Sequence, residues 1–292
     1  MREILVLGGS GQVGTELSRA PVPDGWTVVA PPRAACDLAD AASVRAIVAA
    51  RPWAAVINAA AYTAVDRAET EPVEAWTLNA LGPAVLAKAT GEAGIPLVHV
   101  STDYVFSGDL DRPYREDDTV GPVGVYGASK EGGEQAVRTG NPRHAILRTA
   151  WVVSAHRANF LKTMLRLAAE REEIRVVADQ RGCPTSARDL ARALLAVARR
   201  LAEDPAASTG TFHAVNAGET TWADFAAAIM AASAARGGPH ARIVPIATAD
   251  YPTPARRPAN SRLAADRLAS AFDIRLRPWQ EATDEIVSEL IG

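Results

Sequence analysis

The chain has 292 residues, 48% of them hydrophobic and 22% charged, with a formal net charge of −3. This is the composition of a globular protein with a substantial core, on a length that suggests about two domains. It argues against a nucleic-acid surface built on bulk positive charge, and no apolar run is long enough for a signal peptide or a membrane span, so a cytoplasmic protein with no nucleic-acid and no membrane partner is expected. The two cysteines, Cys36 and Cys183, stand far apart in no ligand spacing and read as reduced thiols. Histidines such as His99, His144 and His213 are scattered singly and read as structural.

Ile4-Leu5-Val6-Leu7 is a short apolar run that leads at once into Gly8-Gly9-Ser10-Gly11-Gln12-Val13-Gly14, and Thr15 to Ala20 continues as a helix. Strand, glycine turn and helix are the context in which a G-x-x-G-x-x-G spacing points to a dinucleotide. Gly8 permits the tight turn, Gly11 lets the backbone approach a pyrophosphate, and Gly14 lets helix and strand pack closely. Coenzyme contacts are therefore expected at Gly8, Ser10, Gly11, Gln12 and Val13, where a helix start offers free N–H groups to phosphate. Trp26 to Ala30 is the second strand. It ends in Ala30-Pro31-Pro32-Arg33 with no acid at its tip, and Arg33 there favours NADPH, with NADH as the alternative. Asp37 and Leu38 are placed to flank the adenine.

Ala41 to Ala50 reads as a helix and Ala55 to Asn58 as the third strand. Asn58, Ala59, Ala60 and Ala61 follow, small residues that leave room for a coenzyme against the backbone. Pro72 opens a long helix to Glu92; Asn79 inside it faces solvent or holds a water or backbone group near the site. Ile95 to Val100 is the fourth strand. It runs into Ser101-Thr102, which puts the Thr102 hydroxyl at the carboxyl edge of the sheet, able to hydrogen-bond a substrate carbonyl. The loop from Ser107 to Val123 carries Asp109, Asp111, Glu116, Asp117 and Asp118, and reads as a solvated surface loop. Tyr126 and Lys130 then stand four residues apart, on one helical face about one turn from each other. A cation held beside the phenol lowers its pKa from about 10, which suits proton transfer in a carbonyl reduction. Ala145 to Arg148 is the next strand.

In this order, Gly8-x-x-Gly11-x-x-Gly14, Asn58-Ala-Ala-Ala61, Ser101-Thr102 and Tyr126-x-x-x-Lys130 resemble the extended short-chain dehydrogenases/reductases. Asn58 to Asp66, Val100 to Gly108, Leu147 to Trp151, Asp179 to Thr185, Val215 to Trp222 and Arg257 to Ser261 are similar, more narrowly, to the dTDP-4-dehydrorhamnose reductases, and the likeness runs over nearly the whole chain. The resemblance implies that hydride passes from NAD(P)H to the C4 ketone of dTDP-4-dehydro-L-rhamnose. It implies Tyr126 as proton donor, Lys130 on the nicotinamide ribose, and Thr102 on the carbonyl. It places Asp103, Tyr104 and Trp151 in the sugar pocket. Some relatives bind Mg²⁺ through glutamates at a dimer contact. Glu16 matches one such position, but the second falls near Arg188-Asp189, so no metal is expected. The loop Gly121 to Val125 is richer in glycine than the family pattern.

Beyond Asn159 the pattern is helical to about Glu172. Ile174 to Val177 is a strand, Ala187 to Leu201 a helix and Thr211 to Ala214 a strand, and these segments, about 174–215, are expected to return the chain to the sheet. Thr221 to Asp224 starts a capped helix. Tyr251 to Pro258 is extended by its prolines, and Arg257, rather than Arg256, is expected to contact a diphosphate. Trp279 to Ile291 is a closing helix. The expected fold is α/β: a Rossmann-type doubly wound parallel sheet over 1–150 with a smaller substrate-binding lobe largely from 151–292. Alternatives to rhamnose synthesis are a 4-ketoreductase for another dTDP-deoxysugar and a non-catalytic regulatory subunit of the same fold. Intact Thr102, Tyr126 and Lys130 weigh against the regulatory subunit. Monomer and homodimer are both open.

Overall fold

The computed structural model describes residues 1–292. The first half alternates strand and helix: β1 (Arg2–Leu7), α1 (Gln12–Arg19), β2 (Trp26–Val29), α2 (Ala41–Ala49), β3 (Ala55–Asn58), α3 (Val65–Ala68), α4 (Pro72–Trp76), α5 (Gly82–Glu92), β4 (Leu97–Thr102), α6 (Val125–Gly140) and β5 (His144–Thr149). A π-helical turn, Thr77–Leu81, joins α4 to α5, so the long helix expected from Pro72 to Glu92 is present but interrupted around Asn79. β6 (Val152–Val153), α7 (Phe160–Ala168), β7 (Glu173–Val177), β8 (Arg181–Gly182), β9 (Thr185–Ser186), α8 (Ala187–Glu203) and β10 (Gly210–His213) follow. The chain closes with β11 (Thr220–Thr221), α9 (Trp222–Ala234), β12 (Arg242–Ile246), β13 (Asn260–Ser261), α10 (Asp266–Phe272) and α11 (Trp279–Ile291).

Six parallel strands form the main sheet in the order β10-β5-β4-β3-β1-β2. Their continuous apolar runs reflect burial on both faces. On one face Leu17 of α1 and Leu190, Leu194 and Leu201 of α8 pack against Ile4, Val6 and Ile57. On the other, Val44 of α2, Leu86 of α5 and Val137 of α6 pack against Leu5, Val56 and Ile146. A doubly wound sheet results, as the sequence predicts. Side-chain caps mark several helix starts: Asp40 accepts from Ala42 N, Ser186 from Asp189 N, and Thr221 from Asp224 N at the capped start expected there.

A second core belongs to the later part of the chain. Leu161 and Met164 of α7, Phe225 and Ile229 of α9, and Trp279 and Val287 of α11 bury one another. Here the structure corrects one expectation. Of the segments expected to return to the sheet, β10 joins it as an edge strand beside β5, and α8 covers its face. β7 does not: it pairs along its whole length with β12, a strand the sequence left unassigned. The edge position next to β5 goes to the strand whose apolar residue, Phe212, fits the sheet core. No helix is long and apolar enough to cross a membrane.

Candidate active site

The carboxyl ends of β1, β3 and β4 open into a cleft of about 1450 Å³. Winding reverses between β1 and β3, and open α/β sheets bind ligands at that point. The volume exceeds the roughly 300–1,000 Å³ of a site for one small ligand.

The glycine loop forms one end. Gly8 has φ +86°, and a Cβ there would stand 2.5 Å from Ala60 N. At Gly14 a Cβ would meet Gly8 O at 2.1 Å, so helix and strand approach as closely as the spacing implies. α1 begins at Gln12 with Gly11 as an N-cap that has no side chain to give, and the Gln12 and Val13 N–H groups take no carbonyl partner. Free N–H groups at a helix start suit a phosphate. Gly8, Ser10, Gly11, Gln12 and Val13 line the cleft, as do Ala59, Ala60 and Ala61 and, further along, Arg33, Asp37 and Leu38. Arg33 is tied by Nε and Nη2 to Asp37 Oδ2, both at 3.2 Å, in an exposed pair. Asp37 lies below its ordinary pKa through the Ala39 N–H and this guanidinium.

Asn58 differs from its expected place. It is fully buried and does not line the cleft. Its Oδ1 accepts from Ala60 N at 3.1 Å and its Nδ2 faces His99 Nδ1 at 3.1 Å, so it shapes the end of β3 instead of touching a ligand there.

Thr102, Asp103, Tyr104, Tyr126 and Lys130 come together at the centre of the cleft. α6 carries Tyr126 and Lys130, and its approach to β4 depends on Gly127, where a Cβ would lie 2.1 Å from Tyr104 O. Asn79 fixes the start of this helix from the π-helical turn. Its amide exchanges bonds with the Tyr62 backbone and donates to Ser129 Oγ at 3.0 Å, and Ser129 donates to Tyr126 O at 2.8 Å. The mid-helix asparagine is thus buried and holds backbone near the site.

Two details correct the reading of the residues. Burial pushes the Tyr126 phenol up to about 12, against a lowering by the Thr102 hydroxyl and with Asp103 adding to the rise. Lys130 is not among the groups that shift it; the lysine is itself desolvated and falls to about 8, held up only by Glu134. Lys130 Nζ donates to Val100 O at 2.7 Å. Thr102, expected to face a ketone, donates to Asp103 Oδ1 at 3.0 Å and accepts from Tyr104 N at 3.2 Å, so it turns outward only by giving up Asp103. Asp103 is raised to about 6 by burial, opposed by bonds from Ser261 and Thr102, and its Oδ2 has no partner.

Tyr104 stands edge-on to Tyr126, centroids 5.4 Å apart. Trp151 lines the cleft in a left-handed conformation, φ 49°, its ring stacked on Trp222 at 3.5 Å. Arg257 lines the cleft too, but it is clamped on Asp66 through Nη1 and Nη2 at 3.2 and 2.9 Å, so its charge is already half answered. The acidic loop is mostly solvated as expected. Two residues depart from this: Asp118 is clamped by Arg112 through Nη1 and Nη2, both at 2.7 Å, and Glu116, raised by burial, accepts from His213 N at 2.9 Å. Both cysteines are buried free thiols.

No site role was expected for Trp222, Glu134 or Arg157, and His99 was expected to be structural. Trp222 follows the Thr221 cap but faces Trp151 only through the fold. Glu134 lies four residues beyond Lys130, a spacing that puts both on one helical face. Arg157, at φ 60°, donates Nε to Ser10 O at 2.7 Å across the two halves of the chain. Glu16 accepts from Arg188 Nε at 3.3 Å and lies 3.4 Å from His156 Nε2. A carboxylate already facing a guanidinium does not suit a divalent cation, and no metal is indicated.

The profile of the RmlD substrate binding domain matches residues 1–291. A dTDP-4-dehydrorhamnose reductase of Sinorhizobium fredii is 44% identical over 289 residues, covering 99% of this chain and 97% of the relative. One from Escherichia coli is 42% identical, covering 98% and 97%. The crystal structure of dTDP-4-dehydrorhamnose reductase from Bacillus anthracis in complex with NADP superimposes with a TM-score of 0.92 at 32% identity, covering 99% of this chain and all of that one. With a glycine loop and a Thr-Tyr-Lys group in one large cleft, and likeness over its full length, the protein belongs to the dTDP-4-dehydrorhamnose reductase family.

Proposed function

We propose that this chain reduces the C4 ketone of dTDP-4-dehydro-L-rhamnose to give dTDP-L-rhamnose, as an NADPH-dependent oxidoreductase that also has NADH open to it. The observation that carries the reading is the meeting of Thr102, Tyr126 and Lys130 with the glycine loop in one cleft, on a chain 44% identical to a reductase of that name over its length. The glycine loop, Ala59 to Ala61, Arg33 and Lys130 are the residues that would hold NADPH. When bound, NADPH supplies the hydride.

Tyr126 supplies the proton. Its phenol, pushed up to about 12 by burial, stays protonated at neutral pH and is in the right state to act as an acid. As charge develops on the substrate oxygen, the phenol and the Thr102 hydroxyl, turned from Asp103, offer two donors in a site shielded from water. Lys130 lies one turn along, tied to Val100 O, and its ammonium would hold the nicotinamide ribose. Asp103, Tyr104 and Trp151 line the sugar side, and Arg257 reaches toward the diphosphate. The lobe built on the main sheet takes the coenzyme, and the lobe of α7, α9 and α11 covers the nucleotide sugar.

The test is NAD(P)H oxidation against a panel of 4-keto dTDP-sugars, with product stereochemistry read by NMR. The highest kcat/KM is expected for dTDP-4-dehydro-L-rhamnose. Turnover confined to another 4-keto sugar would move the chain to deoxysugar synthesis, and no oxidation with any member would remove the catalytic reading.

A further inference from the structure

Beneath the cleft a buried chain of polar groups runs from β3 through β4 to α6. Its direction can be read from one end. Ala60 N–H donates to Asn58 Oδ1 at 3.1 Å, which fixes the amide and turns Nδ2 toward His99 Nδ1, also 3.1 Å away. An amide nitrogen only donates, so His99 Nδ1 accepts. Burial, with Lys130 and His144 adding to it, drives the imidazole well below its ordinary pKa, so the ring is neutral. A neutral ring that accepts at Nδ1 carries its proton on Nε2. That Nε2–H faces Lys130 Nζ at 3.5 Å.

The contact discriminates between the two forms of the lysine. An amine has a lone pair to accept the Nε2–H; an ammonium has only donors and meets it donor to donor. The other groups around Lys130 do not decide its charge as firmly. Val100 O accepts from Nζ at 2.7 Å, a bond either form can make. Glu134 favours the ammonium, but its oxygens are taken by Ser101, Arg138 and Arg148 at 2.5 to 2.8 Å. Tyr126 and Asp103 lie on the cleft side, and His144 of β5 acts on His99 from the far side.

We propose that His99, held as its Nε2–H tautomer by Asn58, is a positioning residue that sets the charge of Lys130 and with it the alkaline limit of turnover. The part about turnover rests on the reductase reading; the part about Lys130 does not.

The chain has three lysines, Lys88, Lys130 and Lys162, so protein labelled with ¹³C,¹⁵N-lysine gives three side-chain signals, and Lys130→Arg identifies one of them. In the unliganded protein, Lys130 is expected to titrate about two pH units below an ordinary lysine. His99→Leu removes the Nε2–H, and Asn58→Leu lets the ring take the other tautomer, whose Nε2 accepts from the ammonium. Each should raise the Lys130 midpoint by about one pH unit. The alkaline limb of kcat should move by the same amount, with the KM for NADPH changed less than about threefold. A Lys130 that titrates as an ordinary lysine in the parent protein, or that stays put in both variants, would overturn the proposal. If the substrate panel shows no turnover while the NMR midpoints still move, the reductase reading fails and the His99–Lys130 coupling stands.

Discussion

Lys130 gives its Nζ–H to the carbonyl of Val100 at 2.7 Å and makes no bond to the phenol of Tyr126 one turn away. The lysine is therefore tied to the strand that carries Thr102, which links helix α6 to strand β4. Tyr126 keeps its proton because of where it is buried, with Thr102 as its hydrogen-bonding neighbour.

Tyr126→Phe should remove the proton donor and leave the packing intact. The expected fall in kcat is about 10²- to 10⁴-fold. NADPH affinity, followed by nicotinamide fluorescence, should change less than about threefold. Near-parental turnover would assign the proton to another group.

Gly127→Ala tests the helix–strand approach. The added Cβ would stand 2.1 Å from Tyr104 O, so α6 must shift away from Thr102. A displacement of about 1 Å in a catalytic group costs on the order of 100-fold in rate. A folded variant with kcat down by about that factor is expected, and an unchanged kcat would show that the spacing tolerates the shift.

Glu134→Gln tests the buried ion pair behind the site. Glu134 is fully buried; burial alone would raise its carboxyl, but bonds and charge from Arg148, a bond from Ser101 and the charge of Arg138 hold it below its ordinary value. Removing the charge leaves Arg148, 1% exposed, facing a neutral amide instead of its counter-charge. A loss of about 3–5 kcal/mol in urea unfolding is expected. Because the folded carboxyl is depressed, its contribution is present above the ordinary glutamate pKa and is lost as pH falls through the lower, folded value.

Asp103 should act in the opposite sense. Its folded pKa of about 6 lies above the ordinary 3.8, mainly through burial. The folded protein therefore binds the proton more tightly, and stability falls as pH rises from about 4 to about 6, by roughly 3 kcal/mol, then levels off. Asp103→Asn should abolish that slope. Urea midpoints at pH 4 and pH 7 check it: the parent should weaken relative to the variant at the higher pH, and parallel midpoints would show that the carboxyl is not desolvated.

The fold and the order of the site residues were legible in the sequence because they rest on local chemistry. Apolar runs of four to six residues, glycines at fixed spacing and a Tyr-x-x-x-Lys helix each carry their meaning within a few positions. What could not be read there depends on groups brought together from distant positions. That β7 pairs with β12, that Asn58 turns inward to His99, that Arg257 is answered by Asp66 and that Trp151 stacks on Trp222 are all set by the meeting of separate elements. The same holds for the charges. Spacing alone suggested that Lys130 acidifies Tyr126, whereas tertiary burial desolvates both side chains, raising the phenol and lowering the ammonium. Sequence determined which reactive groups this protein has and in what order; the folded environment, through its exclusion of water, decided their protonation and their partners.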